Sequence, residues 1–192
     1  IIYKGKDLNK LTKKEIRLLR KEIQIIFQDP LASLNPRLTV GDAIIEPMKV
    51  HNLYSNYELR KKKTLELLNK VGLDESAFGR YPHEFSGGQR QRVGIARTIA
   101  LEPKLILCDE SVSALDVSVQ AQVLNLLNSL KKDFGFTYIF ISHDLAVVKY
   151  MSDNLLIMDK GKIVEKGEAD KIYNNPSNAY TKRLINSIPK GL

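Results

Sequence analysis

The chain has 192 residues, 43% hydrophobic and 27% charged, which is enough apolar content to bury a core without covalent staples. Its single cysteine, Cys108, excludes a disulfide framework and a cysteine metal cluster and suits a reducing compartment. No stretch approaches the roughly 20 apolar residues of a membrane-spanning helix or resembles a signal peptide, and the net charge of +8 reads as scattered, solvated lysine, densest at Lys61-Lys62-Lys63.

In chain order, residues 1–3 read as a strand, Lys4-Gly5-Lys6-Asp7 as a turn and Leu8 as its exit. Thr12 and Glu15 form a capping-box pattern that opens a short helix through Arg20. Residues 23–27 are a compact apolar strand closed by Gln28-Asp29-Pro30, and 31–38 are loop with Asn35-Pro36 as a breaker. From Thr39 to about Arg80 the pattern is helical. One helix covers 40–50, broken or bent at Pro47, and a second covers 57–71, capped by Gly72. Tyr81-Pro82 interrupts before the Gly87-Gly88 pair, and a third helix runs over 88–101 up to Pro103.

Alternation follows: strand 105–108, helix 117–134 stopped by Gly135, strand 137–141 and helix 145–151. A hairpin pairs 154–158 with 163–166 around Lys160-Gly161, and short helices cover 169–173 and 179–186. This order predicts an α/β fold with a mostly parallel, buried sheet. The helical block then reads as an insertion, giving a core of 1–38 and 103–192 and a helical subdomain of 39–102 that carries the glycine pair.

Two stretches carry chemistry. Asp109 and Glu110 fall where an apolar strand surfaces, the edge at which open α/β sheets bind ligands. Asp109 can hold Mg²⁺ and Glu110 can orient or deprotonate a water; the plainer reading is two solvated acids before a helix. Ser86-Gly87-Gly88-Gln89 opens a helix, with Ser86 as N-cap, two glycines that permit close backbone approach to phosphate, and a favourable helix polarity. A plain cap would explain Ser86 and the glycines, but on this reading not Gln89 or the Arg90 and Arg92 pair. Gln28 can reach Mg²⁺ or the water, or be a turn residue. His143 can bond a terminal phosphate, or be solvated. Asp116 can be an ordinary acid at a helix start.

In order along the chain, Gln28, Ser86-Gly87-Gly88-Gln89, Asp109-Glu110, Ser113-Ala114-Leu115-Asp116 and His143 resemble the Q-loop, signature, Walker B, D-loop and switch-histidine motifs of the ATP-binding cassette (ABC) ATPases. The resemblance spans essentially the whole chain and implies a P-loop NTPase-like core with ATP and Mg²⁺ as its ligands. It implies Glu110, His143 and Gln28 as the catalytic set and Asp109 with Gln28 as the Mg²⁺ ligands. Ser86 to Gln89 would contact the ATP of a second ATPase subunit, identical or homologous, and Asp116 would lie at that dimer interface.

The segment from Ile26 to Pro36, the Tyr81-Pro82-His83-Glu84-Phe85 stretch and a tail with Asn175-Pro176, Ala179-Tyr180-Thr181-Lys182 and Ser187-Ile188-Pro189 resemble the oligopeptide and dipeptide importer ATPases. That subfamily implies two transmembrane permease subunits, an extracytoplasmic peptide-binding protein, and a place at the cytoplasmic face of the membrane, with no nucleic-acid partner. Importers of nickel and other small solutes share these features. A non-transport ABC protein acting on nucleic acid or the ribosome, or a regulatory cassette, are the other readings. Ser111 stands where the family usually has proline, and no cysteines for an iron–sulfur cluster are present.

The phosphate loop G-x-x-x-x-G-K-S/T has no match: Gly5-Lys6 is followed by Asp7 and Gly161-Lys162 by Ile163. In the family it lies before the segment that opens here, so trimming is the expected explanation. A piece without it is expected to bind ATP poorly and not turn it over.

Overall fold

The computed structural model describes residues 1–29 and 32–187. Pro30 and Leu31 of the segment after Gln28, and Ile188-Pro189 of the tail, lie outside the described residues. Ile2–Tyr3 (β1) and Lys6–Asp7 (β2) pair antiparallel across Lys4 and Gly5, whose φ angles are 48° and 76°. Lys6 and Asp7 are therefore strand rather than turn. Helix α1 (Lys13–Glu22) opens on the expected capping box: Thr12 Oγ1 accepts from the Glu15 N–H at 3.3 Å and the Glu15 carboxylate accepts from the Thr12 N–H at 2.9 Å.

Strand β3 (Ile23–Ile26) leads through the segment after Gln28 to three helices, α2 (Val40–Val50), α3 (Tyr57–Lys70) and α4 (Gly87–Ile99). Helix α2 runs through Pro47 without a break. Pro47 removes one N–H from the ladder, yet α2 is buried along Val40, Ala43, Ile44, Ile45 and Met48, and that packing outweighs the missing bond. Helix α4 packs on β3, α2 and α3, so the helical block closes over one face of the sheet. Val40, Ile44, Met48, Leu67, Leu68, Ile95 and Ile99 fill this core at 1% exposure or less.

Strand β4 (Leu105–Asp109) follows, then α5 (Val117–Phe134) and β5 (Thr137–Ile141). Gly135 ends α5 at φ 67°, the left-handed cap that its sequence position predicts. The sheet has the order β3-β4-β5, with β3 parallel to β4 in the register Ile23 opposite Leu105 through Ile26 opposite Cys108. Ile26, Ile106 and Cys108 are within 3% of full burial, whereas Ile25 is 38% and Ile139 49% exposed. Burial pushes the Cys108 thiol up to about 12, so this cysteine behaves as an apolar core residue.

The remaining elements are α6 (Leu145–Met151), β6 (Asn154–Asp159), β7 (Lys162–Glu168), α7 (Ala169–Asn174) and α8 (Ala179–Asn186). The chain divides into two compact units, Ile1–Ile139 and Phe140–Leu192. Residues 39–102, with the three long helices α2 to α4, lie within the first unit. In the second unit, β6 and β7 form an antiparallel hairpin around a small core of Leu155, Ile157, Ala169 and Ile172. Glu165 on β7 accepts from the Ser177 N–H and hydroxyl, both at 2.7 Å, and from the Asn178 N–H at 3.2 Å, pinning the start of α8 to the hairpin.

Candidate functional site

Parallel pairing brings the carboxyl ends of β3 and β4 to one edge of the sheet. Gln28 lies just beyond β3, Asp109 closes β4, and Glu110 follows. Gln28 Nε2 donates to Glu110 Oε2 at 3.0 Å and to Ser113 Oγ at 3.4 Å. Residues far apart in sequence thus meet where an open α/β sheet binds its ligands. Glu110 is half-buried and has a φ of 45°, in the left-handed region that a non-glycine residue enters only when its surroundings hold it there. Its carbonyl accepts from the Ser113 N–H at 3.1 Å and from the Ser113 hydroxyl at 2.9 Å. Ser113 therefore fixes the backbone of Glu110 while its oxygen receives the Gln28 amide.

Asp109 is exposed at the strand end. With the Gln28 N–H committed to Glu110, the Gln28 carbonyl oxygen is the atom left to take a cation. This sparse set of oxygen donors fits Mg²⁺, which keeps several waters and takes few protein ligands. Among the described residues, no cluster of three or more His, Cys, Asp or Glu forms a closed metal cage.

The segment ahead of α4 shows how Ser86 is presented. Pro82–Glu84 is a single tight turn, and the Glu84 carboxylate accepts from the Tyr81 N–H at 2.6 Å. Arg90 Nε donates to the carbonyls of Pro82 and Phe85 at 3.1 and 2.9 Å, and the Arg80 guanidinium lies 4.2 Å from the centre of the Phe85 ring. Ser86 then caps α4: its Oγ accepts from the Gln89 N–H at 3.3 Å, and Gln89 Oε1 accepts from the Ser86 N–H at 3.0 Å. Gln89 is thus the third-position partner of a capping box, the role a glutamine or glutamate takes there. Arg92 donates to the Val71 carbonyl at 2.7 Å and to Gln122 at 3.1 Å. The helix cap and its buttresses account for Gln89 and both arginines, which corrects the view that a cap leaves them unexplained.

The two glycines separate. Gly87 is exposed, and a Cβ there would sit 3.8 Å from Leu115, in ordinary contact. Gly88 is buried, and a Cβ there would lie 2.3 Å from a Val119 methyl. Gly88 is needed to seat α4 against α5. The exposed part of this helix start is the Ser86 hydroxyl and the Gly87 backbone.

Asp116 stands at the start of α5, and its side chain makes no capping hydrogen bond. The neighbouring Val117 is 83% exposed. His143 belongs to the second unit, where it is exposed between β5 and α6; Asp144 next to it caps α6 by accepting from the Ala146 and Val147 N–H groups at 2.9 and 3.3 Å.

Sequence reasoning missed Gln91. Its side chain is 1% exposed and its Nε2 donates to the Ser111 carbonyl at 2.6 Å. The signal was available: Gln91 falls on the stripe of α4 that also carries Gly88 and Ile95, and a polar residue on a buried stripe demands a partner.

Residues 1–113 match the family described as ABC transporter. The oligopeptide transport ATP-binding proteins AppF of Bacillus subtilis and OppF of Escherichia coli are each 53% identical to this chain over 190 residues, covering 98% of it and 57% of their own length. The dipeptide transport ATP-binding protein DppF of Lactococcus lactis is 50% identical over 189 residues, covering 98% of the chain and 61% of its own length. The chain thus spans somewhat more than half of the curated relatives it matches. Among solved structures, a dimeric ATP-binding cassette in a post-hydrolysis state with ADP and Pi aligns at a TM-score of 0.73 and 29% identity, over 87% of this chain and 72% of the other. The structure of cbiO1 from Clostridium perfringens, part of an ABC transporter complex, aligns at 0.79 and 26% identity over 98% of this chain and 72% of the other.

Proposed function

The chain belongs to the ABC transporter family, and we propose that the protein carrying it hydrolyses ATP to power import of oligopeptides or dipeptides. The observation that carries this reading is the Gln28–Glu110 contact of 3.0 Å at the sheet edge, in a chain whose relatives are named for peptide transport. Glu110 takes a proton from the attacking water as general base. Gln28 holds the Glu110 carboxylate in place through its amide, and gives it up when substrate competes for either group. His143 bonds the terminal phosphate. Asp109 and the Gln28 carbonyl hold Mg²⁺, which neutralises phosphate charge when bound.

Ser86 presents its hydroxyl, Gly87 its N–H, and α4 its positive end to the ATP of a second ATPase subunit, a helix-terminus anion site. Gln89 supports that site by holding Ser86. The exposed Asp116 and Val117 at the start of α5 suit the contact between the two ATPase subunits. Residues 39–102 act as a helical subdomain that, with the segment after Gln28, transmits closure to two permease subunits; a peptide-binding protein delivers cargo from outside. No helix among the described residues is long and apolar enough to cross a membrane. In this reading the protein sits at the cytoplasmic face of the membrane, held by the permeases.

The test is uptake of a labelled tripeptide and dipeptide by cells lacking the gene. Loss of uptake, restored by the wild-type gene, is the expected result. Unchanged peptide uptake in the deleted strain would contradict the proposed cargo.

A further inference from the structure

We infer that Gln91 is a positioning residue for Glu110, acting through the Ser111 carbonyl; this rests on Glu110 being the general base of ATP hydrolysis. Glu110 sits at φ 45°, a conformation that costs a non-glycine residue free energy and persists only if its neighbours over-determine it. Its own carbonyl is held by the Ser113 N–H and hydroxyl. One residue further on, the Ser111 carbonyl is held by Gln91 Nε2 at 2.6 Å. Ser111 is 2% and Gln91 1% exposed, so water cannot replace that bond. The two bonds hold successive carbonyls of the turn that leaves Glu110, and so keep the backbone from which its carboxylate projects in place.

Gln91 is also one turn into α4 from Ser86 and Gly87. The packing of Gly88 on Val119 joins the same helix to α5. The aim of this chain's own base therefore depends on the seat of the helix whose start serves the other subunit's ATP.

The experiment uses the full-length protein assembled with its natural partner. Gln91→Met keeps the length and apolar body of the side chain and removes the N–H donor. Because a misplaced base slows chemistry without weakening substrate binding, kcat is expected to fall about tenfold or more while KM for ATP stays within about twofold. Ile95→Val, a packing change on the same helix, is expected to keep the wild-type kcat. In a Glu110→Gln background, Gln91→Met is expected to cause no further loss of the single-turnover rate. A wild-type kcat in Gln91→Met, or an equal further loss without the Glu110 carboxylate, would overturn the inference. If Gln91→Met does not fold, Gln91→Asn, whose amide falls one methylene short, is expected to show the kcat loss at wild-type KM, and wild-type kcat there overturns it too. A wild-type protein without ATPase activity removes the proposed function and the inference with it, whereas an active wild type with an active Gln91→Met removes the inference alone.

Discussion

Two adjacent glycines at the start of α4 do different work. Gly87 faces outward with room beside Leu115, whereas Gly88 is wedged so close to Val119 that a methyl group there would overlap it at 2.3 Å. Gly88→Ala is therefore expected to destabilise the fold by about 1–3 kcal/mol, the usual cost of overpacking. Urea denaturation checks this, and Val119→Ala in the same chain is expected to recover most of the loss. Gly87→Ala should leave the urea midpoint close to wild type. Nothing in the sequence distinguishes the two positions, since the neighbour that decides between them, Val119, arrives through tertiary packing. Gln89 differs, since Ser86 and Gln89 have the capping-box spacing, whereas the backbone carbonyls that Arg90 and Arg92 hold are brought to them by the fold.

Helix α8 is fixed in the second unit by one carboxylate. Glu165 is held down to about 2 by the Thr181 hydroxyl beside it, and by hydrogen bonds from Ser177 and Asn178. Its folded value lies below the ordinary 4.5 of a glutamate, so the stability it contributes is complete above that pH and is lost as pH falls toward 2. Hydrogen exchange of the α8 amides is expected to accelerate across that window in the wild type. Glu165→Gln should show fast exchange already at neutral pH and a flat profile below it. Element boundaries were largely legible because their signals are local: α5, β5, α6 and α8 begin and end where the pattern places them, with Gly135 as a visible cap. Of the two outcomes expected at Pro47, a break did not occur, and the burial that carries α2 through it is supplied by other elements.

At the scale of the molecule, the order and spacing of the motifs identify the family. The meeting of Gln28 with Glu110 follows from parallel β3 and β4, which the strand-helix-strand alternation predicts. What the sequence could not give is which face of the sheet is covered. The apolar runs of β3, β4 and β5 read as a buried sheet, and in this chain Ile26, Ile106 and Cys108 are covered while Ile25 and Ile139 are 38% and 49% exposed. Coverage depends on what packs there, and strand composition carries no record of it. For Gln91 the buried stripe of α4 announces that a partner is needed, but which carbonyl supplies it, that of Ser111, is set by tertiary packing.

The central claim is that Glu110 is the general base of ATP hydrolysis. Glu110→Gln in the full-length protein keeps the shape of the side chain and removes the base. Measured side by side, nucleotide affinity by titration and phosphate release at saturating ATP should part company: affinity within about twofold of wild type, and hydrolysis lowered about 100-fold or more, the usual contribution of a positioned general base. Near-normal phosphate release from Glu110→Gln would contradict the account.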